Sequence, residues 1–179
     1  GLGDVYKRQI VRRPAAGEQL RIVTMPGKGR LGLYPRRFEL WSGDERIGAA
    51  RSVWAIINAE TRSMAALSDA PLSGETERQS LRMDSIPAPD GGESFRFAPA
   101  AEYIDRNGHM NNAAYLAALA EYLPENSGFG LSILYHREIM PGDEVTVHWQ
   151  DTDGARLFQG TVGDEECFRL SYSAAVSPA

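Results

Sequence analysis

The stretch that decides the fold is Pro141–Val176, PGDEVTVHWQDTDGARLFQGTVGDEECFRLSYSAAV. Val145, Val147 and Trp149 alternate with Thr146, His148 and Gln150, the period-two pattern of a strand with one buried face. Asp151–Gly154 supplies a turn, Arg156–Val162 a second strand, Gly163-Asp-Glu165 another turn, and Cys167–Val176 a third strand.

The same layout stands earlier in the chain. Leu20, Ile22 and Thr24 alternate with Arg21 and Val23, followed by the turn-rich Pro26-Gly-Lys-Gly29. Arg36–Trp41 reads as a strand with Phe38 and Leu40 on one face, and Ser42-Gly-Asp-Glu45 as a turn. Ile47–Asn58 is a longer strand bearing Val53, Trp54, Ile56 and Ile57. The offset of about 120–125 residues exceeds solenoid periods and predicts a duplicated domain.

Only the second copy has the upstream elements. A strand is expected over Ser94–Ile104, a helix over Asn112–Leu123 and a strand over Gly130–Ile139. The helix segment is rich in Ala and Leu, with Asn111 as N-cap and Pro124 past its end. One helix against an antiparallel sheet makes the fold class α+β. Residues 1–9 show no strand or helix period and read as a sequence-assembly scar outside the fold. The expected organisation is then a partial first domain at 10–69 that begins too late to include its helix. A Pro/Gly-rich linker at 70–92 and a complete second domain at 93–179 follow.

Composition narrows the function classes. Twenty-four acidic against 19 basic residues give a net charge of −5, which argues against a general nucleic-acid binder. The longest apolar run, Ala113–Ala120, is far short of the ~20 residues a membrane-spanning helix needs. One cysteine, Cys167, leaves no internal disulfide or Cys-cluster metal site and fits a reducing, cytoplasmic setting. The N-terminal residues show neither a secretory nor a transit pattern.

The chemistry-bearing segment is Asp105-Arg-Asn-Gly-His-Met-Asn-Asn112. In extended backbone Asp105, Asn107 and His109 share a face. The expected helix beyond them offers free N–H groups for a developing oxyanion, and His109 can carry or orient a proton near neutral pH. Asn111 and Asn112 serve equally as capping residues, and a histidine beside a turn can be silent. His136 and His148, on predicted strands, lack the spacing of a metal site.

Asp105-x-Asn107-x-His109-Met-Asn111-Asn112-x-x-Tyr115 resembles the signature of the acyl-[acyl carrier protein] thioesterases. Leu134-Tyr-His-Arg-Glu138 resembles that family's Tyr-Arg-Arg-Glu strand, and Trp54–Arg62 resembles the end of its first domain, with a Thr-Arg pair. The resemblance implies tandem hotdog folds, each a long helix wrapped by an antiparallel sheet, paired within one chain; homodimerisation is left open. It implies a thiolester hydrolase that releases fatty acid from acyl carrier protein without metal or organic cofactor. Asp105, Asn107, His109 and Glu138 match the catalytic network: Glu138 as base for water, Asn107 and His109 positioning water and thioester, Asp105 holding the geometry and the orientation of His109. Asn111 and Asn112 stand at the substrate side of the helix N-terminus. Some members carry Cys directly after the glutamate; Ile139 stands there here, so thiol attack from that position is excluded.

An acyl-CoA thioesterase and a non-catalytic acyl-binding hotdog are the competing readings. An acidic carrier calls for a basic docking face, for which Arg12, Arg13, Arg21, Lys28, Arg30, Arg36 and Arg37 are candidates. The helix missing from the first domain leaves an apolar face uncovered, which predicts poor solubility and low activity.

Overall fold

The computed structural model describes residues 5–30, 32–56, 58, 77–82 and 85–174. Its strands are β1 (Val5–Ile10), β2 (Leu20–Pro26), β3 (Leu33–Ser42), β4 (Glu45–Ala55), β5 (Glu93–Phe97), β6 (Phe129–Tyr135), β7 (Val145–Thr152), β8 (Ala155–Val162) and β9 (Glu165–Ala174). One α-helix, α1 (Ala114–Ala118), and 3₁₀ turns at Ala101–Tyr103 and Ala120–Tyr122 complete the described elements. The architecture is α+β, with the strands in one antiparallel sheet of order β2-β3-β4-β1-β6-β9-β8-β7-β5.

The two hairpins predicted as copies have the same construction. Ser42 pairs with Glu45 across the β3–β4 turn, and Val162 with Glu165 across the β8–β9 turn. Gly43 and Gly163 turn the chain at φ 55° and 57°, in the left-handed region open to glycine. Each ladder then slips at the same place, between Leu40 and Trp41 in one and Gly160 and Thr161 in the other.

Four local expectations are corrected. Val5–Gln9, assigned to the outside of the fold, lie in β1, which pairs with β4 on one side and β6 on the other. Ladder pairing uses backbone N–H and C=O groups that every non-proline residue carries, so a segment without side-chain periodicity can still fill a seam. The predicted helix over Asn112–Leu123 is shorter. It starts at Ala114 and tightens past Leu119 into a 3₁₀ turn that brings Tyr122 flat onto Phe95, centroids 3.8 Å apart. β5 stops at Phe97, before Pro99. β6 stops at Tyr135, so Glu138 lies beyond its end and not on a strand.

α1 packs on the C-terminal part of the sheet. Tyr115 meets Tyr135 and Phe168 edge-on at 4.9 and 5.2 Å, and Leu119 is fully buried among Leu131, Ile133, Phe158 and Leu170. The N-terminal strands present a different face. No helix covers them among the described residues, Ile22 is 68% exposed, and a cavity of about 300 Å³ is lined by Ile10, Ile22, Phe38, Leu40 and Ala50.

The described part of the 70–92 segment runs across the sheet. Gln79 Nε2 donates to Met25 O at 3.1 Å, Arg51 to Arg82 O at 2.9 Å, Arg169 to Ile86 O at 3.0 Å, and Asp90 N to Gln150 Oε1 at 3.0 Å. Thr61, Arg62 and residues 70–76 lie outside the described residues. Among those described, no helix is long and apolar enough to cross a membrane.

Candidate active site

The polar segment before α1 is a tight hairpin, not the extended backbone expected. Ile104 bridges Met110, Asp105 N–H donates to His109 O, and Gly108 N–H donates to Asp105 O, both at 3.0 Å. Gly108 at φ 83° makes the reversal possible. Both carboxylate oxygens of Asp105 are taken by Asn107: Oδ1 accepts its backbone N–H at 2.7 Å and Oδ2 its side-chain amide at 3.3 Å. Asp105 therefore holds the hairpin and Asn107. The ring of His109 is oriented by the Met110 carbonyl, 3.2 Å from Nδ1, and not by Asp105.

The opposite wall is the chain beyond β6. Met110 N–H donates to Ile139 O at 2.8 Å, and the Ile139 side chain is fully buried. This joint sets His109 and Glu138, the residues immediately before Met110 and Ile139, facing each other, with Nε2 3.7 Å from Oε1. The His109 and Glu138 side chains are 21% and 41% exposed, so solvent and a ligand can reach both. Asp105, Asn107, His109, Asn111, Asn112 and Glu138 all line one cleft of about 610 Å³, within the range of small-molecule sites.

The expected supply of backbone donors is smaller than a helix N-terminus suggests. Asn111 N–H goes to Tyr103 O, Ala113 N–H to Asn111 Oδ1 and Ala114 N–H to Asn111 O, each at 2.8 Å. Asn111 is thus a turn-forming cap. The Asn112 N–H has no hydrogen-bond partner among the described residues. The Asn112 carbonyl accepts the Tyr135 hydroxyl at 2.9 Å, fixing this corner against β6. Burial pushes the Tyr115 phenol above its ordinary pKa, which keeps it neutral.

Residues that sequence reasoning had not singled out flank Glu138. Arg137 donates to Asp143 Oδ2 at 2.9 Å and lies 3.0 Å from Glu165 Oε2, and Asp143 Oδ2 also accepts Met140 N–H at 2.8 Å. Burial opposes ionisation of Asp143, but the Met140 N–H and Arg137 hold its pKa below the ordinary value. His136 Nε2 meets Glu166 Oε1 at 3.1 Å, and Trp54 reaches the cleft from β4. Repetition carried a signal for this group, since Gly17-Glu18 stands to Arg12 as Gly142-Asp143 stands to Arg137. Cys167 is buried 3.7 Å from the Arg137 guanidinium, and burial raises its thiol pKa, which suits packing and not attack.

Comparison with known proteins finds relatives of the sequence and of the fold. Residues 89–173 match the family described as acyl-ACP thioesterase C-terminal domain. The chloroplastic oleoyl-acyl carrier protein thioesterase of Coriandrum sativum is 25% identical over 150 residues, 73% of this chain and 38% of that protein. An acyl-ACP thioesterase from Bacteroides thetaiotaomicron superposes with a TM-score of 0.82 at 20% identity, over 96% of this chain and 75% of that one. The 12:0-ACP thioesterase from Umbellularia californica gives 0.78 at 16% identity, over 96% and 73%. The chain thus spans well under half the length of the curated relative it matches. Its fold is the hotdog fold of these structures, and residues 89–173, a little under half of the chain, are the part similar to the acyl-ACP thioesterase C-terminal domain.

Proposed function

We propose that this chain hydrolyses the thioester of a fatty acyl group carried on acyl carrier protein, releasing the free acid. The observation that carries this reading is the facing pair of His109 Nε2 and Glu138 Oε1, 3.7 Å apart on an open cleft. That separation exceeds a direct hydrogen bond and suits two acceptors that share one water. The Met110 carbonyl can only accept, so Nδ1 of the neutral ring carries the proton and Nε2 is bare. A water donating to Nε2 and to Glu138 turns its lone pair outward, toward a thioester carbonyl carbon. Glu138 takes the proton as the C–O bond forms, and the carbonyl oxygen becomes an oxyanion. The Asn112 N–H is the backbone donor for it, worth about 3 kcal/mol if aligned. The C–S bond then breaks and Glu138 returns the proton to the leaving thiolate.

Two further features support the finer reading. The matching hairpins support a duplicated hotdog, with 93–179 as the copy bearing the catalytic group. A groove on the N-terminal part is lined by Lys28, Arg30, Arg78 and Arg82, with no carboxylate in its lining and no ion pair to any of the four among the described residues. It suits an acidic carrier. The backbone row Pro35–Val53–Val5–Leu134 spans three strand spacings, about 14 Å, between this end of β3 and the end of β6.

Turnover on matched acyl-carrier and acyl-CoA substrates tests the proposal. Glu138→Ala is expected to lower kcat by about 10²–10⁴, the usual worth of a general base, and His109→Ala to lower it comparably. Unchanged activity in Glu138→Ala overturns the mechanism. CoA turnover equal to or better than carrier turnover overturns the carrier assignment, and carrier KM that ignores ionic strength removes the basic groove from it.

A further inference from the structure

The support under Glu138 is a clamp that the chain carries twice. In the C-terminal copy the guanidinium of Arg137 bridges Asp143 and Glu165, Asp143 accepts Met140 N–H, and His136 N–H donates to Cys167 O at 2.8 Å. In the N-terminal copy Arg12 bridges Glu18 at 2.8 Å and Glu45 at 3.1 Å. There Glu18 accepts Ala15 N–H at 2.6 Å, and Val11 N–H donates to Ile47 O at 2.8 Å. Each bond has its counterpart about 120–125 residues away. The residue after the clamping arginine is Arg13 in one copy and Glu138 in the other.

That residue is aimed in both copies. Arg13 points from its clamp to Asn126 O at 2.9 Å and the Tyr172 hydroxyl at 3.3 Å, with its guanidinium 5.5 Å from the centre of the Phe129 ring. Glu138 points from its clamp to His109. A backbone tied one residue before and two residues after leaves the intervening side chain little freedom to drift. We infer that Arg137 and Asp143 are positioning residues that hold the Glu138 carboxylate at the distance from His109 that water activation needs. The inference rests on Glu138 being the base. Arg137 and Asp143 touch no substrate in this role; they act through the 137–140 backbone.

The tests are steady-state kinetics and amide hydrogen exchange on the 179-residue chain. Arg137→Ala is expected to lower kcat about a hundredfold, with KM little changed, since a misplacement of about 1 Å costs that much. Asp143→Asn, nearly isosteric and less disruptive to folding, is expected to lower kcat about tenfold. Asp143→Glu restores kcat to within about threefold, because Glu18 does the same task in the other copy. Glu18→Gln, which loosens the matching clamp far from the cleft, lowers Tm but leaves kcat of the folded protein unchanged. Exchange at the Met140 amide quickens in Arg137→Ala and Asp143→Asn. Unchanged kcat in both folded variants, equal kcat loss in Glu18→Gln, or failure of Asp143→Glu to rescue overturns the inference. If Glu138→Ala itself retains full activity, the catalytic reading fails, and the exchange result still decides whether the clamp holds the segment.

Discussion

Opposite positions in the two hairpins exchange size. Leu40 on β3 faces Gly48 on β4, whereas Gly160 on β8 faces Phe168 on β9. A Cβ at Gly160 would lie 2.0 Å from the Phe168 ring, so the glycine is the space that ring occupies. Along the same face β9 continues with Leu170 and Tyr172, both buried, while β4 continues with Ala50 and Ser52. One copy is therefore filled against α1, and the other keeps a small-residue floor beneath an open cavity. The comparison teaches that one backbone plan, with the same turns and the same ladder slip, can be tuned for a closed core or an open face by exchanging a large side chain across a pair. The residues after the two clamps add to the lesson: an arginine ties the parts together in one copy, and a carboxylate faces the cleft in the other.

The largest expected effect falls on that last contrast. Glu138→Ala should remove most of kcat, whereas Arg13→Ala should leave kcat alone and reduce unfolding free energy by about 1–2 kcal/mol, through two lost hydrogen bonds and a cation–π contact. Kinetics and denaturant titration of both variants decide it; a kcat loss in Arg13→Ala would merge the two roles. Next is packing. Phe168→Ala should cost about 3–5 kcal/mol because it opens a cavity under Tyr115, and Leu40→Ala, on the open face, about 1 kcal/mol. Equal losses in the same titration would mean that the N-terminal face is packed after all.

The smallest effect is a pH dependence. Hydrogen bonds from Arg12, Ser42 and the Ala15 N–H hold the Glu18 carboxyl down to about 2 from 4.5. Because the folded value is depressed, this contribution to stability is fully present above pH 4.5 and is lost as pH falls toward 2. Tm measured across that window should fall less steeply in Glu18→Gln than in the parent chain. An identical slope would show that the N-terminal clamp does not form in solution.

Much of this was legible in the residues. Alternation in Val145–Trp149 and the paired Gly-Asp-Glu turns announced the hairpins, because period-two burial and left-handed turns leave direct marks on sequence. The Asp105–Asn112 string announced the cleft, although the geometry that unites it differs from the extended run expected. The clamps left only a repeated spacing of Arg and acidic residues, whose partners are set by which strands become neighbours. The length of α1 was not legible either, since Ala and Leu favour helix throughout Asn112–Leu123. Contact of Tyr122 with Phe95, distant in sequence, decides where the helix tightens.

The sequence by itself determined most of the strands, their turns, the repeated hairpin layout and the kinds of side chain gathered before α1, because each depends on neighbours along the chain. Only the tertiary structure decided that His109 faces Glu138, that Met110 orients the ring where Asp105 was expected to, and that Arg137 meets Asp143 and Glu165. Those relations follow from the β6–β9 ladder and the Met110–Ile139 joint. They bring together residues far apart in sequence, at distances no local pattern encodes.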